Sequence, residues 1–260
     1  MKTSMIAFSL AGMVITAGAA QAQSVAALMD GNMISIVDAK AMMAGKPMKV
    51  SGIDGNLVGI DVRPADGMLY GLVSDGTVVT IDTKTGAATK KSKLDTMLPA
   101  GTKATVDFNP VADRMRIIGS DGMNLRANVD DGKVTKDGML KFAETDMHKG
   151  ETPMIVAGAY TNSMKGAKET ALYDVDATIG ALIKQAPPND GVLNAVGKFG
   201  IKADSYAFDI STASDGKNSA WLMAGDTLYS VDLATGKATI AGKITGATGK
   251  VHDIAALPAM

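Results

Sequence analysis

The sequence predicts an all-β fold, a five-bladed β-propeller closed by its C-terminal strand joining the N-terminal blade. Three observations carry that expectation. Short apolar runs bounded by Asp-Gly, Thr-Gly and Pro dominate the chain, and no segment sustains a 3.6-residue apolar period with caps. A hairpin motif recurs, and so does an apolar strand ending in Asp that precedes it. The strand openings at Gly59, Thr105, Ile155, Tyr206 and Val251 fall roughly 45–51 residues apart, the spacing of four-stranded blades and not of helical repeats.

The hairpin is clearest in Thr77-Val78-Val79-Thr80-Ile81-Asp82-Thr83-Lys84-Thr85-Gly86-Ala87-Ala88-Thr89 and in Thr227-Leu228-Tyr229-Ser230-Val231-Asp232-Leu233-Ala234-Thr235-Gly236-Lys237-Ala238-Thr239. In both, an apolar residue is followed by Asp-x-x-Thr-Gly-x-Ala-Thr. The Asp carboxylate can cap the turn, and the Gly supplies its positive-φ residue. The opening strand reads Gly59-Ile60-Asp61-Val62-Arg63-Pro64, Tyr206-Ala207-Phe208-Asp209-Ile210 and Thr105-Val106-Asp107-Phe108-Asn109-Pro110, and more loosely Ile155-Val156-Ala157-Gly158-Ala159-Tyr160.

The ends complete one another. Val251-His252-Asp253-Ile254-Ala255 reads as an opening strand with nothing after it, whereas Ser24 to Asp38 reads as a blade lacking that strand. Joining them pairs edges that would otherwise stay open. The expected blades are a composite of 24–53 with 251–258, then 57–98, 104–142, 153–200 and 204–246, numbered one to five in that order. A two-domain sandwich is the alternative, because blade four is irregular.

Residues 1–22 read as a signal peptide, and 23–260 as a single β-propeller domain. Lys2 gives the charged start, Ile6 to Ala20 the apolar stretch, and Ala20-Gln21-Ala22 the small-residue cleavage site. That stretch is shorter than a membrane span, so the expectation is export to the periplasm or the extracellular medium, with no membrane span. Cleavage would leave 25 basic against 27 acidic residues.

Composition narrows the function. A hydrophobic share of 46% with near-neutral charge excludes global disorder and offers no field for nucleic acid. The absence of Cys excludes disulfides, thiolate metal sites and a Cys nucleophile. There is no Gly-x-Ser-x-Gly elbow, no His-Glu-x-x-His and no phosphate-binding Gly loop. Only one Trp is present, and aromatics are 4% of the chain, which argues against sugar processing.

The stretch Val106 to Ile118, followed by Asn124-Leu125-Arg126, is distinctive. So are Ala159-Tyr160-Thr161-Asn162, Leu172-Tyr173-Asp174-Val175-Asp176, and Gln185-Ala186-Pro187-Pro188-Asn189-Asp190-Gly191-Val192-Leu193. With Gly59 to Pro64, they resemble a family of exported bacterial proteins known as a domain of unknown function. The resemblance spans nearly the whole mature chain. It implies a β-propeller-like fold and export, and it brings no established activity.

Two constellations are candidate sites. Asp61, Asp107, Asp209 and Asp253 occupy equivalent places on inner strands, so their carboxylates can converge on the axis. Such oxygens suit Ca²⁺, or the acid and base of a Ca-assisted hydrolase. Equally, a blade-repeated Asp can serve as an acceptor for neighbouring backbone N–H groups. The second constellation is arginine: of 26 basic residues only Arg63, Arg114, Arg116 and Arg126 are Arg, all in blades two and three. A planar fork suits either a carboxylate or phosphate ligand or pairing between blades. The expected working surface of a non-enzymatic binding protein is Arg63, Asn109, Arg114, Arg116, Asn162, Asn189 and Asp190, for a small anionic or polar ligand or a partner protein. Copper is a weaker fit, because the Met residues lack a repeated spacing and only two His are present.

Overall fold

A computed structural model describes residues 24–246 and 249–258; the leader assigned to residues 1–22 lies outside them. Five antiparallel-built sheets form the blades of a closed ring. Blade two runs outward through Leu57–Val62, Leu69–Val73, Thr77–Ile81 and Ala88–Lys93. Blade three runs through Ala104–Asn109, Arg114–Gly119, Asn124–Ala127 and Val134–Lys136, and blade five through Tyr206–Thr212, Asn218–Ala224, Thr227–Val231 and Ala238–Lys243.

Closure follows the expected route. Val251–Ala256 pairs antiparallel with Ser24–Met29 and becomes the inner strand of blade one. It also packs against the inner strands of blades five and two, so the five inner strands form an unbroken circle. Closing the ring leaves no free inner edge.

The hairpins behave as their sequence dictates. Asp82 Oδ1 accepts the N–H groups of Lys84 and Thr85, and Gly86 takes φ +74°. A Cβ on Gly86 would meet the Lys49 carbonyl of blade one at 2.9 Å, so this Gly both turns the chain and lets two blades touch. Gly236 does the same against Gly197 of blade four, at φ +72°.

The core is divided by seam. Each of five apolar clusters fills the space between two adjacent blades, as Ile60, Leu69 and Leu28 do between one and two, or Tyr70, Phe108 and Met115 between two and three. Tyr70 and Phe108 meet edge to face at 5.2 Å.

Blade four departs from the pattern. Ile155–Tyr160, Leu172–Asp176, Ala181–Gln185 and Val192–Lys198 gain a fifth strand, Lys141–Phe142, which pairs parallel with Val192–Lys198. The expected limit of blade three at residue 142 therefore takes in Lys141 and Phe142, which pair with blade four. The chain leaves blade three after Lys136 because Asp137 is held inward by two arginines and Gly138 N donates to the Asn189 carbonyl at 2.8 Å. That turns residues 141–142 onto the neighbour's outer edge.

Candidate functional site: an axial acid ring, two arginine seams and a cavity

The inner strands bring three carboxylates together. Oxygens of Asp61, Asp107 and Asp209 lie within 4.8 Å of one another, all buried. Each bridges toward the next inner strand. Asp61 Oδ2 accepts Phe108 N–H at 2.7 Å, Asp107 Oδ1 accepts Tyr160 N–H at 3.1 Å, and Asp209 Oδ2 accepts Ala256 N–H at 2.6 Å. Asp253 Oδ2 accepts Ile60 N–H at 2.9 Å, so four carboxylates stitch the ring. The inner strand of blade four, Ile155–Tyr160, has no acid; Ala159 stands opposite Tyr173 as Asp61 stands opposite Tyr70.

Burial dominates the electrostatics of this ring. Desolvation holds Asp61, Asp107 and Asp253 well above the usual carboxylate range, with like charge from neighbouring ring members adding to it. Desolvation pushes Asp209 up to about 6, while its N–H bonds from Ala256 and Ile210 pull the other way. Chemically the ring can share protons or hold a cation. Opposite ligands of a Ca²⁺ ion at about 2.4 Å are about 4.8 Å apart, and the span of Asp61, Asp107 and Asp209 fits that limit. Each N–H occupies one lone pair of an oxygen that has two, so donation to an ion and to the backbone are compatible.

The arginines sit elsewhere. Arg63, at the end of the inner strand of blade two, forks onto Asp113 at 2.8 and 2.6 Å and onto Asp130 at 3.2 and 2.8 Å, both in blade three. It also donates to Tyr70 Oη at 3.2 Å. Its hydrogen bond and that of Lys91 hold the Asp130 carboxyl down, to about 2. Arg116 is 1% exposed and spans the seam between blades three and four. It donates to Tyr160 Oη at 3.1 Å, Asn124 Oδ1 at 2.8 Å, Asp137 Oδ2 at 2.6 Å and Asn189 Oδ1 at 2.8 Å. Arg126, directly opposite Arg116 across the strand pair, takes the same Asp137 through both its oxygens at 2.6 and 2.9 Å.

The remaining residues of the expected surface are dispersed. Asn109 Oδ1 caps a turn by accepting Val111 and Ala112 N–H, and Arg114 donates to the Ala112 and Asp113 carbonyls. Asn162, at φ +57°, pairs with Asn218 of blade five. Asn189 and Asp190 lie in the short turn Pro188–Asp190. The structure thus joins Arg116 to Asn189, and Asp61 to Asp107 and Asp209. Asn109 meets the Tyr160 hydroxyl that Arg116 also bonds, whereas Arg63 and Asn162 lie just past the C-terminal ends of their inner strands.

A cavity opens at the other end of those strands. It has a volume of about 870 Å³ and is walled by the starts of all five inner strands, including Leu57, Ala104, Val156, Tyr206 and His252. Val58, Ala104 and Tyr206 each precede a ring acid by three residues, so at about 3.3 Å per residue the acids lie about 10 Å further along the strands. The wall is part apolar and part polar, with Lys103, Asp204 and Lys250 beside Met97 and Met154. His252 Nε2 and Asp30 Oδ1 pair at 2.5 Å on this wall. From the sequence, Met154 and His252 drew attention only as soft metal ligands. The signal shared by Lys103, Met154, Asp204, Lys250 and His252 is positional, since each lies just before or at the start of a repeated opening strand.

Five blades around an axial acid ring and an axial cavity define a five-bladed β-propeller. Within that class, the chain belongs to the family described as Domain of unknown function (DUF4394), whose model matches residues 32–255. Among solved structures, it is similar to a structural genomics protein of unknown function from Bacteroides thetaiotaomicron VPI-5482, at 17% identity. The match covers 90% of this chain and 70% of that one, with a TM-score of 0.53. A protein of unknown function from Bacteroides caccae matches at 11% identity over 90% and 98% of the two chains, with a TM-score of 0.49. An auxiliary nutrient binding protein from Bacteroides thetaiotaomicron VPI-5482 matches at 13% identity, over 76% of this chain and 55% of that one, with a TM-score of 0.46. No curated protein matches the chain. Among the described residues no helix is long and apolar enough to cross a membrane.

Proposed function

We propose that the protein is an exported, non-enzymatic binding protein that takes a small polar or anionic ligand into its axial cavity. The observation that carries this reading is the cavity itself, about 870 Å³ and walled by all five blades. Its volume lies in the range of small-molecule sites, and its wall, about as polar as apolar, suits a polar ligand. The leader-like pattern of Lys2, the apolar stretch and Ala20-Gln21-Ala22 supports export to the periplasm or the medium. The three cation-forming arginines of the seams are engaged with carboxylates, so the reading rests on the cavity and not on them.

The test is a thermal-shift screen of small organic acids, amines and neutral metabolites on the mature protein, repeated with Ala100→Trp. Ala100 is exposed on the cavity wall, so an indole there takes up part of the cavity without entering the core. The expected result is a compound that raises the melting temperature of the parent and fails to do so in the variant. Equal shifts in both would place binding elsewhere and overturn the reading.

A second reading, a Ca-assisted hydrolase built on the ring, draws its support from the convergence of Asp61, Asp107 and Asp209. It requires that Ca²⁺ raise the melting temperature and that EDTA lower it. Melting that is indifferent to both ends that reading.

A further inference from the structure

The seam between blades three and four contains polar atoms that neither the ring nor the cavity uses. Asp174 is fully buried, opposite Gly158 of the inner strand. Neither of its carboxylate oxygens has a hydrogen-bond partner among the described residues, and the same holds for Thr105 Oγ1 and Gln185 Oε1. These groups share one seam. A Cβ on Gly158 would lie 2.5 Å from Asp174 Oδ1 and 3.4 Å from Thr105 Cγ2, so the glycine is what admits the acid beside the threonine. Asp174 pairs with Ile183 and Leu172 with Gln185, so Asp174 and Gln185 are diagonal neighbours on one face.

The charged and titratable groups around Asp174 are already committed. Arg116 is bound to Tyr160, Asn124, Asp137 and Asn189. Asp107 accepts from Tyr160 N–H, and Asp176, on the same strand as Asp174, accepts from Met154, Thr178 and Ile179 N–H. Lys184 of the adjacent strand is exposed and lies out of phase with Ile183 and Gln185. An ionised carboxylate without a donor in such a place is costly. A protonated one supplies an O–H donor, and Gln185 Oε1 is an acceptor in need of one.

We propose that Asp174 is a proton-operated latch: at neutral pH it is a neutral carboxylic acid buried in the seam between blades three and four, its O–H available to the Gln185 carbonyl oxygen, and release of that proton leaves an unpaired charge in the seam and loosens it. Burial pushes the Asp174 carboxyl up to about 8, with Arg116 pulling it down and Asp176 pushing it up. An acid whose folded pKa is raised binds its proton more tightly in the folded state. The stability it lends is complete below the unfolded value near 4 and is lost as pH rises through about 8. The Pro188 carbonyl accepts from both Gln185 Nε2 and Asn124 Nδ2, so the segment freed first is the 187–191 turn.

The experiment compares the mature protein with Asp174→Asn, which stays neutral at every pH. Melting is followed from pH 6 to 9.5. The parent should lose melting temperature relative to the variant progressively as pH rises to about 8 and run parallel to it above that, and infrared difference spectra at pH 7 should show a carboxylic-acid carbonyl band absent from the variant. Melting profiles parallel over the whole range, or no lost band, overturn the proposal. Should the variant not fold, hydrogen exchange of the parent serves instead. After correction for intrinsic rates, amides of residues 187–198 should exchange about tenfold faster at pH 9 than at pH 7, and unchanged protection overturns the proposal.

Discussion

The axis and the arginine seams bury charge in opposite ways. At the axis three carboxylates converge, with Asp253 on the same ring, and burial raises the proton affinity of all four, aided by like charge at Asp61, Asp107 and Asp253. At the seams between blades two, three and four, carboxylates face guanidinium groups, and Asp130 falls to about 2. The ring acids come from the repeat, one per blade except in blade four. The arginines belong to single blades and have no counterpart in the others. Repetition therefore built a feature held by backbone N–H groups, while the departures from repetition built side-chain pairs that tie named blades together.

The largest predicted effect breaks the seam at its most buried point. Arg116→Leu leaves Asp137, whose side chain is 5% exposed, with Arg126 as its remaining partner. Removing one member of such a pair is expected to destabilise the fold by about 3–5 kcal/mol, measured by urea denaturation. Arg116→Lys should recover only part of that, since an ammonium cannot serve Tyr160, Asn124, Asp137 and Asn189 together.

Next comes the axis, where removing charge should have the opposite sign. Asp107 uses Oδ1 alone to accept Tyr160 N–H, a bond that asparagine can keep. Its folded proton affinity is raised, so its ionisation weakens the fold increasingly as pH climbs above the unfolded value near 4. Asp107→Asn should leave stability unchanged at pH 4 and raise it at pH 8 by about 1–3 kcal/mol. If the ring holds Ca²⁺, the same substitution should destabilise in Ca²⁺-containing buffer. Melting at two pH values with and without Ca²⁺ separates a proton-sharing ring from an ion site.

How much of this was legible beforehand follows from the same contrast. The blades could be read because Asp82–Gly86 and Asp232–Gly236 repeat a turn whose conformation those residue types dictate. The ring acids could be read because Asp61, Asp107 and Asp209 recur at one strand position. The arginines were conspicuous as residues, but their partners were not. Asp130 lies far along the chain from Arg63, and nothing in a single sequence marks which Asp a fork will meet. Arg126 joins Arg116 because Ile118 pairs with Asn124, a register set by the Gly119–Met123 loop. The cavity was hidden for another reason: its wall is assembled from the first residues of five strands, each unremarkable alone. Asp174 was quoted within a motif, yet its isolation depends on Gly158 lying opposite, a pairing that only the sheet register reveals.

A smaller effect should come from the exposed end of the arginine network. Asp130 has a side chain 49% exposed, so most of the stabilisation implied by its lowered pKa is screened. Its contribution is present above the unfolded value near 4 and is lost as pH falls through about 2. Asp130→Asn should therefore cost at most about 1 kcal/mol at pH 7 and nothing at pH 2, because Arg63 retains its fork to Asp113. Acid titration of melting temperature checks both limits. A loss as large as that of Arg116→Leu would mean that pairing, and not burial, sets the strength of the seams.

The smallest effect supplies the control for that statement. Lys243 and Asp226 pair at 2.8 Å on the rim of blade five, with side chains 70% and 55% exposed. The pair has the opposite charges of the Arg116 seam and none of its burial. Water and salt compete with it, and ordering the long lysine side chain opposes it. Lys243→Gln should leave the urea midpoint almost unchanged, and raising the ionic strength to 1 M should erase any difference that remains. The Arg116→Leu loss should persist at the same ionic strength, since ions do not screen charges held inside a seam. If both losses faded together with salt, the seam would be open to solvent, and the contrast between axis and seam would be one of charge sign alone.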